Sequence, residues 1–157
     1  MKVLWTDGSA SPNPGPGGYA VIEVRGNKGM PVLLGREAEP TTNIRMEAQA
    51  MIAAIKYADK EECEIHSDSE FWINVLTRWA PKWEQDNWHK KNGPIKNLDL
   101  VQELYGLYKS NNVKLVWEKG HSGTEFNEMA DEWANKAREG ENPPEMDDEW
   151  RNYKSVV

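Results

Sequence analysis

The sequence contains one cysteine, three histidines and no long apolar run. A single Cys63 excludes an intrachain disulfide, and its setting in Cys63-Glu64-Ile65-His66 favours a buried structural thiol over a nucleophile. No segment approaches the roughly 20 apolar residues that a membrane-spanning helix needs, and Met1 leads into a strand rather than a signal region. The histidines and the cysteine lack the spacing of a zinc site. We therefore expect a cytoplasmic protein without a membrane segment.

The length of 157 residues predicts one domain with a single core and no internal repeat. A net charge of −7 argues against indiscriminate nucleic-acid binding, but the charge is unevenly distributed. Residues 139–149 contribute six negative charges and residues 150–157 two positive ones, so residues 1–138 carry only −3. We predict a domain over 1–138 and an acidic C-terminal tail over 139–157 that is mobile or loosely docked.

Hydrophobic periodicity predicts three strands followed by alternating helices and strands, which indicates one mixed sheet with helices packed on it. The predicted strands are Lys2 to Thr6, Tyr19 to Val24, Pro31 to Gly35, Cys63 to Ser67 and Val113 to Trp117. The predicted helices are one capped by Thr42, one from Phe71 to Trp79 that Pro81 ends or kinks, one through Leu100, Leu104 and Leu107, and a last one over roughly 127 to 138.

Four carboxylates occupy comparable positions in this interpretation. Asp7 and Asp68 each end a strand, Glu47 lies in the first turns of a helix, and Asp131 lies one turn into the last helix. Alone, Asp7 is more commonly explained as an ordinary turn residue. Burying four such groups together is costly unless cations neutralise them. Two Mg²⁺ ions about 4 Å apart, with Mn²⁺ as the alternative, would do so and could clamp a phosphoryl displacement.

Several motifs occur in the order and with the spacing of a known family. They are Thr6-Asp7-Gly8-Ser9, the run Asn13 to Tyr19, Thr41-Thr42-Asn43 with Arg45-Met46-Glu47, Ser67-Asp68-Ser69, Lys96 to Leu100, and Gly120-His121 followed by Asn127-Glu128 and Asp131-Glu132. Over about residues 2 to 138 the chain resembles bacterial type 1 ribonuclease H. The resemblance implies an α/β ribonuclease H-like fold, with a five-stranded mixed sheet and helices on both faces. It also implies an endonuclease that hydrolyses the RNA strand of RNA/DNA hybrids.

The resemblance also implies the site residues and their roles. Asp7, Glu47, Asp68 and Asp131 would hold the metals, and His121 would assist proton transfer or product departure. Cleavage would leave 5′-phosphate and 3′-hydroxyl ends. Asn13 and Asn43 would contact RNA 2′-hydroxyls across the minor groove, while Thr42 and Asn97 would grip a DNA-strand phosphate. Asn127 is a further substrate-binding candidate.

Residues 78 to 97 match the basic protrusion of that family. From Arg78 to Lys96 the local charge is +3, and aromatic residues are interleaved with the bases. The substrate-binding candidates here are Lys82, Lys90, Lys91, Trp83 and Trp88, since cations track phosphates and aromatic faces pack beside the backbone. The tryptophans could equally be packing anchors, and we expect that role for Trp79.

Three departures from the family pattern bear on affinity and metal preference. Ile44 stands where a second amide is usual, Glu70 replaces a common glutamine, and the protrusion is less basic than in many relatives.

Gly15 to Ala20 formally fits a dinucleotide-binding motif, but it leads into a strand rather than a helix, so the match is false. Two alternatives stay open: a DNA nuclease or recombinase on the same fold, and a non-catalytic hybrid-binding module. We expect a free-standing monomer without an obligate protein partner.

Overall fold

The computed structural model describes residues 1–119 and 124–152. Five strands form one mixed sheet in the order β3-β2-β1-β4-β5. The strands are β1 (Lys2–Ala10), β2 (Gly15–Arg25), β3 (Lys28–Thr41), β4 (Cys63–Ser67) and β5 (Val113–Trp117). The first three strands pair antiparallel, β4 pairs parallel with β1, and β5 pairs parallel with β4. The predicted five-stranded mixed sheet is confirmed.

Helices cover both faces of this sheet. They are α1 (Asn43–Ala58), α2 (Glu70–Asn74), α3 (Ala80–Gln85), α4 (Leu98–Ser110), α5 (Glu125–Arg138) and α6 (Asp148–Asn152). One hydrophobic cluster joins α1 and α4 to one face through residues such as Leu4, Ile65 and Leu104. A smaller cluster joins α5 to the other face through Trp5, Ile22 and Ala134. Within the described ranges, no helix is both long and apolar enough for a bilayer crossing.

The first strand is longer than predicted. It continues through Asp7-Gly8-Ser9 to Ala10, because these residues pair with β2 in an unbroken register that includes Asp7 opposite Ala20 and Gly8 opposite Tyr19. Asp7 therefore lies inside a strand rather than at its end. The predicted bounds of β4 and β5 are confirmed.

The second predicted helix does not end at Pro81. It runs from α2 through a π-helical turn, Val75–Trp79, into α3. The Ala80 N–H donates to the Val75 carbonyl, as expected for a π-helical turn. Pro81 falls in the first turn of α3, where its missing N–H is tolerated.

The described part of the C-terminal tail, residues 139–152, is anchored through Trp150, contrary to the expectation of a mobile or loosely docked segment. Trp150 of α6 is fully buried and belongs to the cluster on the α1 face. Arg25 lies over its indole ring at 4.3 Å and donates to its carbonyl oxygen over 2.8 Å. The tail links α5, on the opposite face, to this site: Arg36 of β3 donates to the carbonyl of Arg138, the last residue of α5, and Lys28 of β3 pairs with Glu149.

Candidate active site

Three of the four predicted metal ligands come together. Asp7 of β1, Glu47 of α1 and Asp68, just after β4, each offer a carboxylate oxygen, and these oxygens lie within 4.8 Å of one another. Asp7 is buried, while Glu47 and Asp68 are half-buried. Carboxylate oxygens are the hard ligands that Mg²⁺ and Mn²⁺ favour, so these residues fit a divalent cation.

Sheet register and a close helix approach create this cluster. Thr6 of β1 pairs with Ser67 of β4, so the next residues, Asp7 and Asp68, extend from adjacent parallel strands. A Cβ at Gly8 would overlap the backbone of Met46 and Glu47. Only glycine at this position lets the first turns of α1 approach β1 closely enough to bring Glu47 to the two aspartates.

The cluster is electrostatically incomplete in the protein alone. Burial, and then the charge of Asp68, raises the pKa of the Asp7 carboxyl well above its ordinary value, although the Gly8 N–H donates to it over 2.9 Å. Burial raises the pKa of Glu47 to about 7, with Asp68 adding to the rise and a Ser69 hydrogen bond opposing it. Within the described ranges, neither Asp7 nor Glu47 forms an ion pair with a lysine or arginine. A cation from solution would supply the missing positive charge.

Asp131 lies near this cluster but does not belong to its tightest part. It lines the same cleft, and its charge contributes to the raised pKa of Asp7. Its side chain is exposed, and it lies about two turns into α5 rather than one, because the helix begins at Glu125. The expectation that all four acids are buried together is therefore wrong for Asp131, which faces solvent across the cleft.

The carboxylates line an open cleft of about 430 Å³. Its other walls are the Gly8 to Ser11 segment, Asn43, Asn135 and Arg138. Sequence reasoning missed the last two. The signal that could have found them is their spacing, because Asp131, Asn135 and Arg138 stand at i, i+4 and i+7 and share one face of a helix.

The two asparagines predicted to read the RNA strand lie together beside the cleft. The Asn43 side-chain oxygen accepts from the Ala10 N–H over 2.6 Å, and the Asn13 side-chain oxygen accepts from the Asn43 N–H over 3.2 Å. These bonds fasten the β1–β2 loop to the start of α1. The asparagines therefore have a structural role, and RNA contact by them stays a prediction.

The two residues predicted to grip a phosphate are joined through Arg45. The Thr42 hydroxyl caps α1 by accepting from the Arg45 N–H over 3.1 Å, as predicted for an N-cap. The Arg45 guanidinium donates to the Asn97 side-chain oxygen over 3.2 Å and forms a bidentate pair with Asp99. Thr42 and Asn97 are thus held on one surface by the same arginine.

The aromatic residues of the basic protrusion differ in how far they are buried. Trp79 is 42% exposed, and its ring lies 6.0 Å from that of Phe71 and 6.3 Å from that of Trp83. It packs at the surface, and its expected role as a packing anchor stays a prediction. Trp83 and Trp88 are half-buried and pack against the main core, with Trp88 at 6.1 Å from the Tyr105 ring. Substrate contact by these two stays a prediction. The three predicted phosphate-binding lysines, Lys82, Lys90 and Lys91, are all exposed.

The roles of two further predicted site residues, Asn127 and His121, stay predictions. Asn127 is only 7% exposed and does not line the cleft, so its part in substrate binding stays a prediction that its burial disfavours. His121 lies outside the described residues. Of the departures, Ile44 and Glu70 are both exposed, at the starts of α1 and α2.

Comparisons with a family model and with the sequences of known proteins agree on one family. The family model described as RNase H matches residues 1–139. The chain is 42% identical to a ribonuclease H of Gluconobacter oxydans over 140 residues, covering 87% of this chain and 91% of that protein. It is 42% identical to a ribonuclease H of Caldicellulosiruptor saccharolyticus over 136 residues, covering 84% and 92%.

Solved structures show the same likeness. The crystal structure of LC9-RNase H1, described as a type 1 RNase H with the type 2 active-site motif, is similar with a TM-score of 0.71 and 26% identity, covering 90% of this chain and 74% of that one. The solution structure of the PFV RNase H domain has a TM-score of 0.70 at 21% identity, covering 88% and 94%, and supports the fold alone.

Proposed function

The chain belongs to the RNase H family and has the ribonuclease H activity of that family, and we propose that it hydrolyses the RNA strand of RNA/DNA hybrids with two divalent cations. The observation that carries this proposal is the cluster of Asp7, Glu47 and Asp68 within 4.8 Å. Asp131, across the same cleft, would complete the ligand set. Mg²⁺ is the proposed ion, with Mn²⁺ as a substitute, and we further propose that the enzyme acts as a monomer in the cytoplasm.

The carboxylates serve this mechanism by holding the cations in fixed positions. Asp7, Glu47, Asp68 and Asp131 would hold the cations, which would supply a coordinated water of lowered pKa and positive charge beside the departing 3′ oxygen; the products would carry 5′-phosphate and 3′-hydroxyl ends. Asp7 and Asp68 project from paired strands, which fixes their oxygens relative to each other before substrate arrives. Such preorganisation is what a site for in-line displacement requires, because misplacement of the ligands raises the barrier.

Recognition of RNA falls to the side of the cleft formed by Asn13 and Asn43. Their side-chain oxygens are engaged by backbone N–H groups, whereas their amide NH₂ groups donate no hydrogen bond to any described residue. A fixed donor at a shallow groove suits a 2′-hydroxyl, which distinguishes RNA from DNA. Thr42 and Asn97 would hold a DNA-strand phosphate, while Lys82, Lys90 and Lys91 would follow the duplex backbone.

A cleavage assay tests this function. Labelled RNA/DNA hybrid, RNA duplex and DNA duplex are incubated with Mg²⁺ or Mn²⁺, with and without chelator, using the wild type, Asp68→Asn and Glu132→Gln. We expect only the hybrid to be cut, only with metal, and not by Asp68→Asn. Glu132→Gln is the matched control, because Glu132 is an exposed acid on α5 that pairs with Lys136.

The other outcomes decide between the alternatives. Cleavage of the DNA duplex in place of the hybrid would favour the DNA nuclease. Hybrid binding without cleavage by the wild type would favour the non-catalytic module. Near wild-type turnover by Asp68→Asn would show that the metal ligands have been wrongly assigned.

A further inference from the structure

We propose that Arg138 binds a phosphate of the RNA strand close to the one that is cleaved. The inference rests on the proposed function and adds a substrate-positioning residue to it. Arg138 is the last residue of α5, and it lines the same cleft as Asp7, Glu47 and Asp68. It brings a positive charge to a cleft whose other charged side chains are all acids.

The backbone of Arg138 is held firmly at the end of this cleft. A Cβ at Gly18 of β2 would overlap the Arg138 backbone nitrogen and the Ala134 carbonyl, so strand and helix are in direct backbone contact there. Arg36 of β3 donates to the Arg138 carbonyl oxygen over 3.2 Å. Seven residues separate Arg138 from Asp131, which places it roughly 10 Å further along the helix axis. That offset points past the cleaved phosphate to a neighbouring one.

The guanidinium of Arg138, in contrast, is weakly held. Within residues 1–119 and 124–152 it forms no ion pair, and its side chain donates one hydrogen bond, from Nη2 to the Asn135 side-chain oxygen over 3.3 Å. That oxygen also accepts from the Ser9 hydroxyl over 2.9 Å. Among the residues that the structure describes, the buried Arg138 Nε has no hydrogen-bond partner. An unpaired buried donor is unfavourable, so a rearrangement that gives Nε an anionic partner is favoured.

The chemistry of the missing partner follows from the surroundings. Arg25 and Arg45 already pair with carboxylates, whereas Arg138 faces a cleft that admits a ligand. A guanidinium presents paired N–H donors that match two phosphate oxygens. The four acids of this cleft are assigned to the strand that is cut, and Arg138 stands in line with Asp131 on one helix face. A phosphate of that same strand is therefore the partner assigned to Arg138.

The experiment combines a variant with neutralised phosphates. kcat/KM is measured for the wild type and Arg138→Gln on short hybrids in which single RNA-strand phosphates near the cut are replaced by uncharged methylphosphonates. We expect Arg138→Gln to lower kcat/KM by about 10- to 100-fold, the range for a hydrogen bond to a charged group. The slope of log KM against log salt should fall by about 1. At one RNA position, the methylphosphonate should impair the wild type and cause no further loss in Arg138→Gln.

Two other variants provide controls. Lys136→Gln removes the same charge from the same helix, but Lys136 already pairs with Glu132 at 3.1 Å and lies over the Trp133 ring, so its kcat/KM and salt slope should match the wild type. Arg138→Lys should restore the salt slope but recover kcat/KM only in part, since a lysine cannot reproduce the paired donors. Thermal unfolding of each variant separates loss of binding from loss of folding.

The outcomes distinguish this inference from the proposed function. A wild type that cuts no hybrid refutes the proposed function itself. If the wild type cuts hybrid and Arg138→Gln has additive losses at every RNA position, Arg138 does not bind a phosphate there. Non-additivity at a DNA-strand position would assign it to the wrong strand. An unchanged salt slope with an altered Mg²⁺ requirement would show that Arg138 acts on the carboxylates, which also overturns the inference.

Discussion

Glu23 and Asp7 are buried carboxylates on the neighbouring strands β2 and β1, yet their surroundings are opposite. Glu23 is 4% exposed and has its own counter-charges. Arg25 approaches it at 3.2 Å and Lys2 at 3.9 Å, and the Tyr57 hydroxyl donates to it. Burial and the charge of Glu23 raise the pKa of Tyr57, so this hydroxyl stays protonated as a donor.

Asp7 is 7% exposed, and the charged groups that shift its pKa are all acids. The fold therefore neutralises one buried carboxylate internally and leaves the other to be neutralised from solution. This difference separates a structural network from a site: Glu23 has its counter-charges within the fold, whereas Asp7 is an uncompensated buried charge that destabilises the protein until a cation binds.

Among the tests of this comparison, replacing Asp7 has the largest expected effect. Asp7→Asn should reduce hybrid cleavage by at least about 10³-fold, because a ligand of the reacting metal is lost. The same change should raise the metal-free free energy of unfolding at pH 8 by about 1–2 kcal/mol, since it removes a repelled buried charge. Steady-state kinetics and urea unfolding measure the two effects. A loss of both activity and stability would contradict the account of Asp7.

The network around Glu23 extends to the tail through Arg25, and Trp150 tests that extension. Trp150→Ala should lower the free energy of unfolding by about 3–4 kcal/mol, because it empties a fully buried aromatic site. Trp117→Ala is the matched control, since Trp117 is 47% exposed and should cost about 1 kcal/mol or less. Equal losses in the two variants, measured by urea unfolding, would mean that the tail does not stabilise the domain.

Breaking the counter-charges of Glu23 should have a smaller effect. Glu23→Gln leaves Arg25 and Lys2 without their shared carboxylate, and we expect a loss of about 1–3 kcal/mol in the free energy of unfolding. kcat on hybrid should stay near the wild-type value, because the network lies outside the cleft. A gain in stability, as expected for Asp7→Asn, would remove the distinction between the two carboxylates.

The smallest expected effect is the dependence of stability on pH and on metal, beginning with the metal-free protein. A carboxyl whose pKa is raised in the folded state binds its proton more tightly there than in the unfolded chain, so its contribution to stability falls as pH rises above its ordinary pKa. For Glu47 this loss continues to about pH 7, and for Asp7 it follows the same direction. These two carboxyl groups should therefore lower the free energy of unfolding of the metal-free protein as the pH rises from 5 to 7.

Mg²⁺ should reverse this trend by binding the ionised carboxylates. At ten times its Kd, Mg²⁺ adds about 1.4 kcal/mol and raises Tm by about 4 °C. We expect this increase at pH 8 and less than half of it at pH 5.5, where protons compete for the site. NaCl of equal ionic strength is the control. An increase in Tm that is the same at both pH values would show that Mg²⁺ acts elsewhere.

Local sequence patterns were sufficient to predict several elements. Both β4 and β5 have the predicted bounds, and Thr42 caps α1 as expected, because alternation and capping depend on nearby residues. The carboxylate cluster was predictable because Asp7 and Asp68 follow the apolar runs of two strands and Glu47 lies near the start of a helix. β1 beyond Thr6 was not, since Asp7-Gly8-Ser9 has low strand propensity and becomes extended only by pairing with β2.

Contacts between distant parts of the chain account for the remaining differences. Trp150 sits in an acidic, proline-containing segment, so its composition predicts mobility, and only its insertion beside Arg25 fixes it. Arg138 enters the cleft because Gly18 allows α5 to approach β2 closely. Neither contact leaves a local signal, although the spacing of Arg138 from Asp131 could have placed both on one helix face.

The anchoring of Trp150 also bears on how the protein is made. Its site is built from β2, α1 and their neighbours, all of which leave the ribosome long before residue 150 does. During synthesis, the hydrophobic cluster on the α1 face therefore lacks Trp150 until residue 150 has left the ribosome. A nascent chain that stalls shortly before Trp150 would contain all five strands yet expose this apolar site to other chains, which makes it prone to aggregation.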